Sequence, residues 1–389
     1  MTQTFKEYIK ERAELVGPLS WRVLESAQGA RVNINGEWKI SLCSNNYLGL
    51  ANHPALKEAA AKALSQFGVG TVAARSLSGS TPLHEALERE MAEFKGTEAA
   101  LVFNSGFVTN SGVIPALVSK GDIVFSDEIN HGSIVDGCRL SGAEKRIYPH
   151  GDMVSLQQGL KDSMHYRHRM IVADAVFSMD GDIAPIQGIV DLCQRYDTFL
   201  MIDEAHATGV LGDNGRGAAE HFHVEDRVDV IMGTLGKALG SLGGYIAGDK
   251  ALVDYLAHTA RSFLLTTSIP APCVAAALAG LHILRNEPQL RQRLWRNTDF
   301  YRFSLRELGF NTMKSKTPIV PILVGDDDKA RLFQDRLYEE GVLVSKIGVP
   351  YVPRGTSRLR TIISAVHTEE DLQQAIATLG SVGRELKVI

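Results

Sequence analysis

From about residue 83 the hydrophobic positions of this chain recur in two alternating rhythms. In PLHEALEREMAEF (82–94), Leu83, Leu87, Met91 and Phe94 fall three or four places apart among charged residues, and Pro82 stands in the first turn. That spacing predicts an amphipathic helix. AALVF (99–103) is short, continuous and apolar, which predicts a buried strand, with a helix following Gly106. DIVFS (122–126), RMIVADA (169–175), FLMID (199–203), DVIMG (229–233) and GYIAG (244–248) are runs of the same kind, mostly separated by helix-length segments. Short buried strands alternating with helices predict an α/β fold, a mostly parallel sheet covered by helices on both faces.

A second section begins near residue 286, after an Ala-rich helix. Its patterns predict helices over 288–309, 328–340 and 368–385, and strands at 319–324 and 358–364. The expected organisation is an N-terminal segment (1–50) packing with a small domain, a large domain (51–285), and that smaller α+β C-terminal domain (286–389).

Composition narrows the function classes. With 389 residues, 44% hydrophobic and 22% charged, the chain has the balance of an ordinary globular protein. A net charge of -4 without a Lys/Arg block disfavours nucleic acid as the main partner. Cys43, Cys138, Cys193 and Cys273 lie far apart, which suits neither a disulfide framework nor a metal site and fits a reducing cytoplasm. The N-terminus lacks the apolar stretch of a signal peptide, and the longest apolar run, 274–284, is too short to span a bilayer. A cytoplasmic enzyme with no membrane partner is expected.

The candidate chemistry lies at strand ends. Asp203 closes FLMID, where open α/β sheets place ligands, and His206 follows in EAHATG. A carboxylate there can hold a protonated ring nitrogen, and an imidazole can donate to an oxygen on the same ring; pyridoxal phosphate offers both groups. The plainer reading of Asp203 is a helix cap. A helicase box is excluded, because the chain has no GxxxxGK[ST] loop and its GK at 236–237 precedes Ala238. Lys237 lies 34 positions after Asp203 (237 − 203), in the Gly-rich VIMGTLGKALGSLGG. A buried lysine there is costly unless paired or used as an amine nucleophile. Thr234 offers a hydroxyl to a phosphate in the same loop. NSGFVTN (104–110) turns from strand into helix, so its amides can cradle a phosphate. His131 could stack on a flat ring or be a satisfied core histidine. Ser178, in FSMDGD, could bond a ring substituent or simply make a turn. GVGTVA (68–73) follows a helical pattern, not a strand, and reads as a substrate-side loop.

With these motifs assembled, the sequence resembles the α-oxoamine synthase family of fold-type I pyridoxal-phosphate enzymes. The resemblance runs from SLCSNNYLGLANHP (41–54) through NSGFVTN, DEINHGSIVDG, FSMDGDIAP, DEAHATGVLG and GTLGKALG to RLRTIISAVHT, in family order. It implies a seven-stranded large-domain sheet and the cofactor pyridoxal 5'-phosphate, held covalently by Lys237, which also removes the α-proton of an amino acid. It implies that Asp203 holds the pyridine nitrogen, His206 the phenolic oxygen, and that His131 stacks on the ring. Gly106, Phe107 and Thr234 match phosphate contacts, and Ser178 matches a ring contact. Thr267 matches a phosphate contact supplied by the partner subunit, which implies a homodimer. Arg360 matches the arginine that grips the substrate carboxylate, with Asn45 nearby. The implied reaction joins a small amino acid to an acyl-CoA, releasing coenzyme A and usually carbon dioxide. SGSTPLH (78–84) leans towards members that join alanine to a pimeloyl thioester in biotin synthesis. TLGKALG leans towards members that join glycine to acetyl-CoA, although Gly106–Phe107–Val108 departs from their Cys-Phe-Asp. An aminotransferase using the same lysine and aspartate, and a non-catalytic binding protein, are the alternatives.

Overall fold

The computed structural model describes residues 4–16 and 21–389. The stretches 1–3 and 17–20 of the expected N-terminal segment lie outside the described residues.

After the helix Phe5–Val16 come β1 (Arg31–Ile34) and β2 (Glu37–Ser41). They pair as an antiparallel hairpin, and Asn35 and Gly36 between them both have positive φ, 52° and 77°. Asn-Gly is the dipeptide that tolerates that turn, a hairpin signal not drawn on in the reading of residues 1–50. The central strands are β3 (Ala99–Phe103), β4 (Ile123–Asp127), β5 (Glu144–Tyr148), β6 (Arg169–Asp174), β7 (Phe199–Asp203), β8 (Val230–Thr234) and β9 (Gly244–Gly248). The chain ends with β10 (Ile319–Gly325), β11 (Val342–Leu343), β12 (Ser345–Ile347), β13 (Ser357–Ile362) and the helix Glu369–Glu385.

The central sheet has seven strands in the order β3-β9-β8-β7-β6-β4-β5. Its β5-β4-β6-β7-β8 pairings are parallel, and β9 runs antiparallel to both neighbours. Six of these strands match the expected runs to within a residue at either end. The seventh, β5, is an edge strand whose EKRIY sequence exposes three of its five residues, so no apolar run marks it.

Alternation along the strands divides the core. Ile171, Ala173, Leu200 and Ile202 pack on one face with the helices Pro82–Lys95, Ile186–Tyr196 and Ala271–Asn286. Met170, Val172, Met201 and Met232 pack on the other with Gly106–Leu117, Gly132–Ser141 and Lys250–Thr259. Successive side chains of a strand point to opposite faces, so burial on both sides gives the continuous apolar runs seen in the sequence.

Two three-stranded sheets, β1-β2-β11 and β10-β13-β12, complete the structure. Ile40 and Leu42 join Tyr301, Leu305, Phe333, Leu359 and Leu372 in a third apolar cluster, so the β1-β2 hairpin packs with the last section of the chain. No helix among the described residues is long and apolar enough to cross a membrane. The four cysteines are free.

Candidate active site

Asp174, Asp203 and Thr234 end β6, β7 and β8, adjacent strands of the sheet, and Asp174 is the cross-strand partner of Asp203. Past these carboxyl ends lies a cavity of about 180 Å³ lined by Gly106, Phe107, His131, Ser178, Asp203, His206, Thr234 and Lys237, with Ser133 and Asp174 also in its wall. Sequence-distant residues thus meet where a parallel sheet places its ligands. A wider cleft of about 400 Å³ opens at the other end of β6 and β7. Its Arg167 is tied to Asp122 and its Arg169 to main-chain carbonyls, and no residue selected from the sequence lies there.

Lys237 sits in the loop between β8 and β9. Leu235 N–H donates to Gly243 O (2.9 Å), Gly240 N–H to Lys237 O (3.0 Å) and Ser241 Oγ to Cys273 O (2.6 Å), closing the loop on itself and on the helix Ala271–Asn286. Gly240 has φ +66°, and a Cβ there would lie 2.7 Å from Ala51 N, so this turn requires glycine. None of the hydrogen bonds or ion pairs among the described residues engages the Lys237 amine. Burial lowers its pKa to about 8 against the opposing pull of Asp203 and Asp174.

Asp203 is 4% exposed, and both its oxygens accept hydrogen bonds: Oδ1 from Ala205 N (2.8 Å), Oδ2 from Asn110 Nδ2 (2.7 Å). Asn110 Nδ2 also donates to Ser133 Oγ (2.9 Å), which lies 2.8 Å from His131 Nδ1. With Ser133 N–H donating to the same Nδ1, that nitrogen is the acceptor and His131 carries its proton on Nε2. His131 caps the helix Gly132–Ser141, its own N–H donates to Asp174 Oδ2 (2.6 Å), and its ring meets Phe107 edge-on. Burial and the Asp203 charge push the Asp174 carboxyl well up.

His206 is likewise fixed from behind: Tyr47 OH lies 2.6 Å from its Nδ1. Burial, reinforced by the Lys237 charge, lowers the His206 pKa well below the usual histidine range, so the ring is neutral. Burial raises the Tyr47 phenol, which keeps its proton and donates it to Nδ1. The remaining N–H of His206, on Nε2, is then the free donor.

The helix Gly106–Leu117 begins at the cavity. Ser105 Oγ caps Val108 N–H (3.2 Å), and the Gly106 and Phe107 amides have no intrahelical partner. A Cβ on Gly106 would come within 3.2 Å of Met232 Cε and 3.6 Å of Thr234 Oγ1, so glycine keeps this corner open. The Thr234 hydroxyl donates to Gly243 O (2.9 Å) and accepts from Gly236 N (3.1 Å), which leaves it less free for a ligand than the sequence suggested. Arg360 reaches the wall from β13: Nε donates to Ser178 O (2.5 Å) and Nη2 to Asn45 Oδ1 (3.2 Å), while Nη1 has no partner among the described residues. Thr267 is not brought into this cavity. It is exposed at the surface, where its carbonyl accepts from Asn104 Nδ2 (2.7 Å). The loop 68–73 lies beside it, with Thr71 Oγ1 donating to Ser268 O (3.0 Å).

Sequence reasoning missed Tyr47, Asn110, Ser133 and Asp174. Three lie inside motifs that it did single out, SNNYLG, NSGFVTN and DEINHGS, and Asp174 is the penultimate residue of the predicted run 169–175 and the last of the observed strand. No group of three or more His, Cys, Asp or Glu side chains among the described residues is placed to hold a metal ion.

Fold and site together define a fold-type I transferase, with a lysine facing an aspartate and a histidine across the carboxyl ends of a parallel sheet. Residues 37–379 match the family model for class I and II aminotransferases, and the chain belongs to that family, in its α-oxoamine synthase branch. The chain is 47% identical over 392 residues to 8-amino-7-oxononanoate synthase 1 of Bacillus subtilis strain 168, covering 100% of each. It is 50% identical over 380 residues to 8-amino-7-oxononanoate synthase of Symbiobacterium thermophilum, covering 97% of this chain and 96% of that one. Among solved structures, one of SPT with PLP as an internal aldimine superposes with a TM-score of 0.94 at 31% identity, covering 99% of this chain and 98% of that chain.

Proposed function

We propose that this chain is a pyridoxal-phosphate-dependent 8-amino-7-oxononanoate synthase, which condenses L-alanine with a pimeloyl thioester and releases the thiol and carbon dioxide. The observation that carries the reading is the buried, uncommitted amine of Lys237 opposite Asp203 and His206, in a chain alike over its full length to enzymes of that name.

The residues fit the cofactor. Uncommitted amides at a helix N-terminus and the space beside Gly106 suit a phosphate. Asp203 suits a protonated ring nitrogen, and the Nε2–H of His206 suits the phenolic oxygen. When bound, pyridoxal phosphate supplies an electron sink for the α-carbon of the amino acid. Lys237 would hold the cofactor and, with its amine free, would serve as the base for the α-proton of the amino acid. His131 would stack on the ring and offer its Nε2–H to the reacting groups. Ser178 would bond a ring substituent, and Phe107 and Thr234 would hold the phosphate. Arg360, with Asn45, receives the substrate carboxylate through its uncommitted Nη1. Thr267, exposed and outside its own cavity, serves the phosphate of a second copy in a homodimer. We further propose the division into an N-terminal segment (1–50), a large domain (51–285) and a small domain (286–389), supported by the pairing of β2 with β11, and a cytoplasmic setting.

A substrate grid tests the reading. Glycine, alanine and serine are paired with acetyl-, succinyl-, pimeloyl- and palmitoyl-CoA, and free thiol is measured. Alanine with pimeloyl-CoA is expected to be strongly preferred; preference for glycine with acetyl-CoA would reassign the chain to glycine C-acetyltransferase, and no thiol release with any pair would refute a synthase.

A pH prediction follows from Lys237. Its amine loses its proton as pH rises through about 8, well below the usual lysine range. Capture of pyridoxal phosphate by cofactor-free protein, followed by absorbance, is therefore expected to accelerate with a midpoint near pH 8 and then level off. Acceleration continuing past pH 10 would contradict a desolvated lysine.

A further inference from the structure

Two arginines alternate along β13, Arg358 and Arg360, and residues two apart on a strand share a face. Both reach the same turn beyond β6, residues 177–182, which is closed by Gly181 N–H donating to Phe177 O (2.8 Å) and by a bridge between Val176 and Ile183. Arg360 Nε holds the Ser178 carbonyl at 2.5 Å. Arg358 pairs with the Asp180 carboxylate two residues further on, with side chains 4% and 24% exposed, and its own Nε is fixed by Thr356 O (2.9 Å). The turn is also anchored to the chain before β10, where Lys316 N–H and Thr317 Oγ1 both donate to Gly181 O at 2.9 Å. Ser178 therefore lines the cavity while its carbonyl accepts from the guanidinium of Arg360, and the neighbouring Arg358–Asp180 ion pair ties down the same turn.

We propose that Arg358 and Asp180 are positioning residues that hold the turn 177–182 against the cavity wall so that Arg360, bonded to that turn through Nε and with Nη1 uncommitted, is kept in place for the amino-acid carboxylate. The inference rests on the reading of Arg360 given above. The ion pair touches no reacting atom, so it acts on the grip on the amino acid and leaves the acyl thioester and the chemical step alone. A guanidinium held by two fixed acceptors is aligned before substrate arrives; with the turn released, part of the carboxylate's binding energy is spent on that alignment.

The test titrates the loaded enzyme with L-alanine at equilibrium, following cofactor absorbance, alongside steady-state kinetics with pimeloyl-CoA. Asp180→Asn and Arg358→Lys are each expected to raise the alanine Kd roughly tenfold, the equivalent of one charge-assisted hydrogen bond. With alanine saturating, kcat and the KM for the thioester should stay within about twofold of wild type. Asp180→Glu, which keeps the charge, should recover part of the loss. Arg358→Lys keeps the positive charge and loses the planar fork, so it carries the test if Asp180→Asn does not fold. An unchanged alanine Kd, or equal rises for alanine and thioester, would overturn the proposal. Arg360→Lys separates the two readings: if it leaves alanine binding unchanged, the carboxylate role falls and this inference with it. If it weakens alanine binding while Asp180→Asn does not, this inference alone falls.

Discussion

Replacing Lys237 by alanine is expected to abolish thiol release while leaving the fold intact. The side chain lines a cavity and makes no hydrogen bond or ion pair among the described residues, so its removal costs the structure little and relieves the cost of a buried amine. On the roles proposed for Lys237, the reaction loses both the group that holds the cofactor and the base for the α-proton. Loss of a positioned base alone slows a reaction by about 10²–10⁴-fold, so turnover should fall by at least that range. Thiol release measured with alanine and pimeloyl-CoA checks this, with thermal denaturation as the control for folding. A variant that kept most of its turnover would remove Lys237 from the mechanism.

The second large effect concerns stability. Lys95 and Glu204 are 1% and 0% exposed and pair at 2.5 Å. Lys95 also donates to Thr208 Oγ1 (2.9 Å) and to the Arg216 carbonyl, and Glu204 accepts Ala219 N–H (2.8 Å). Burial by itself would lower the Lys95 pKa, but the Glu204 carboxylate and the hydrogen bonds around it hold it above the usual lysine range. Lys95→Met leaves a carboxylate buried without its counter-charge, and breaking such a pair costs about 3–5 kcal/mol. Chemical denaturation of cofactor-free protein should register that loss. The double variant Lys95→Met/Glu204→Leu should recover part of it, because the stranded charge is gone. A single variant within about 1 kcal/mol of wild type would mean the pair is solvated or dispensable. Glu204 lies between Asp203 and His206 in the chain, so this pair also anchors the turn that presents both to the cavity.

These two lysines mark how far the sequence could be read. Lys237 was legible because its neighbours are distinctive: glycines on either side, and Asp203 and His206 upstream in a recognisable order. Lys95 was not, because it follows the predicted helix 82–94 as an ordinary terminal charge, and its partner lies 109 positions away. The same distinction runs through the fold. β6 and β7 are buried on both faces and stand out as apolar runs, whereas β5, with EKRIY at the sheet edge, needs the neighbouring β4 to define it. The site follows suit. Motif order located the residues that face the cavity, but Tyr47 behind His206 is 159 positions from its partner, and Asn110 behind Asp203 is 93. Such supports exist only once strands and helices are in register. Thr234 shows the converse: its position was legible, but its hydroxyl is engaged within its own loop.

The most direct test of the central claim is to locate the cofactor chemically. Protein loaded with pyridoxal phosphate is reduced with borohydride, digested, and its peptides are weighed by mass spectrometry. The account predicts a pyridoxyl group on the peptide carrying Lys237 and its disappearance in Lys237→Ala; the group on a different lysine, or on none, would contradict it.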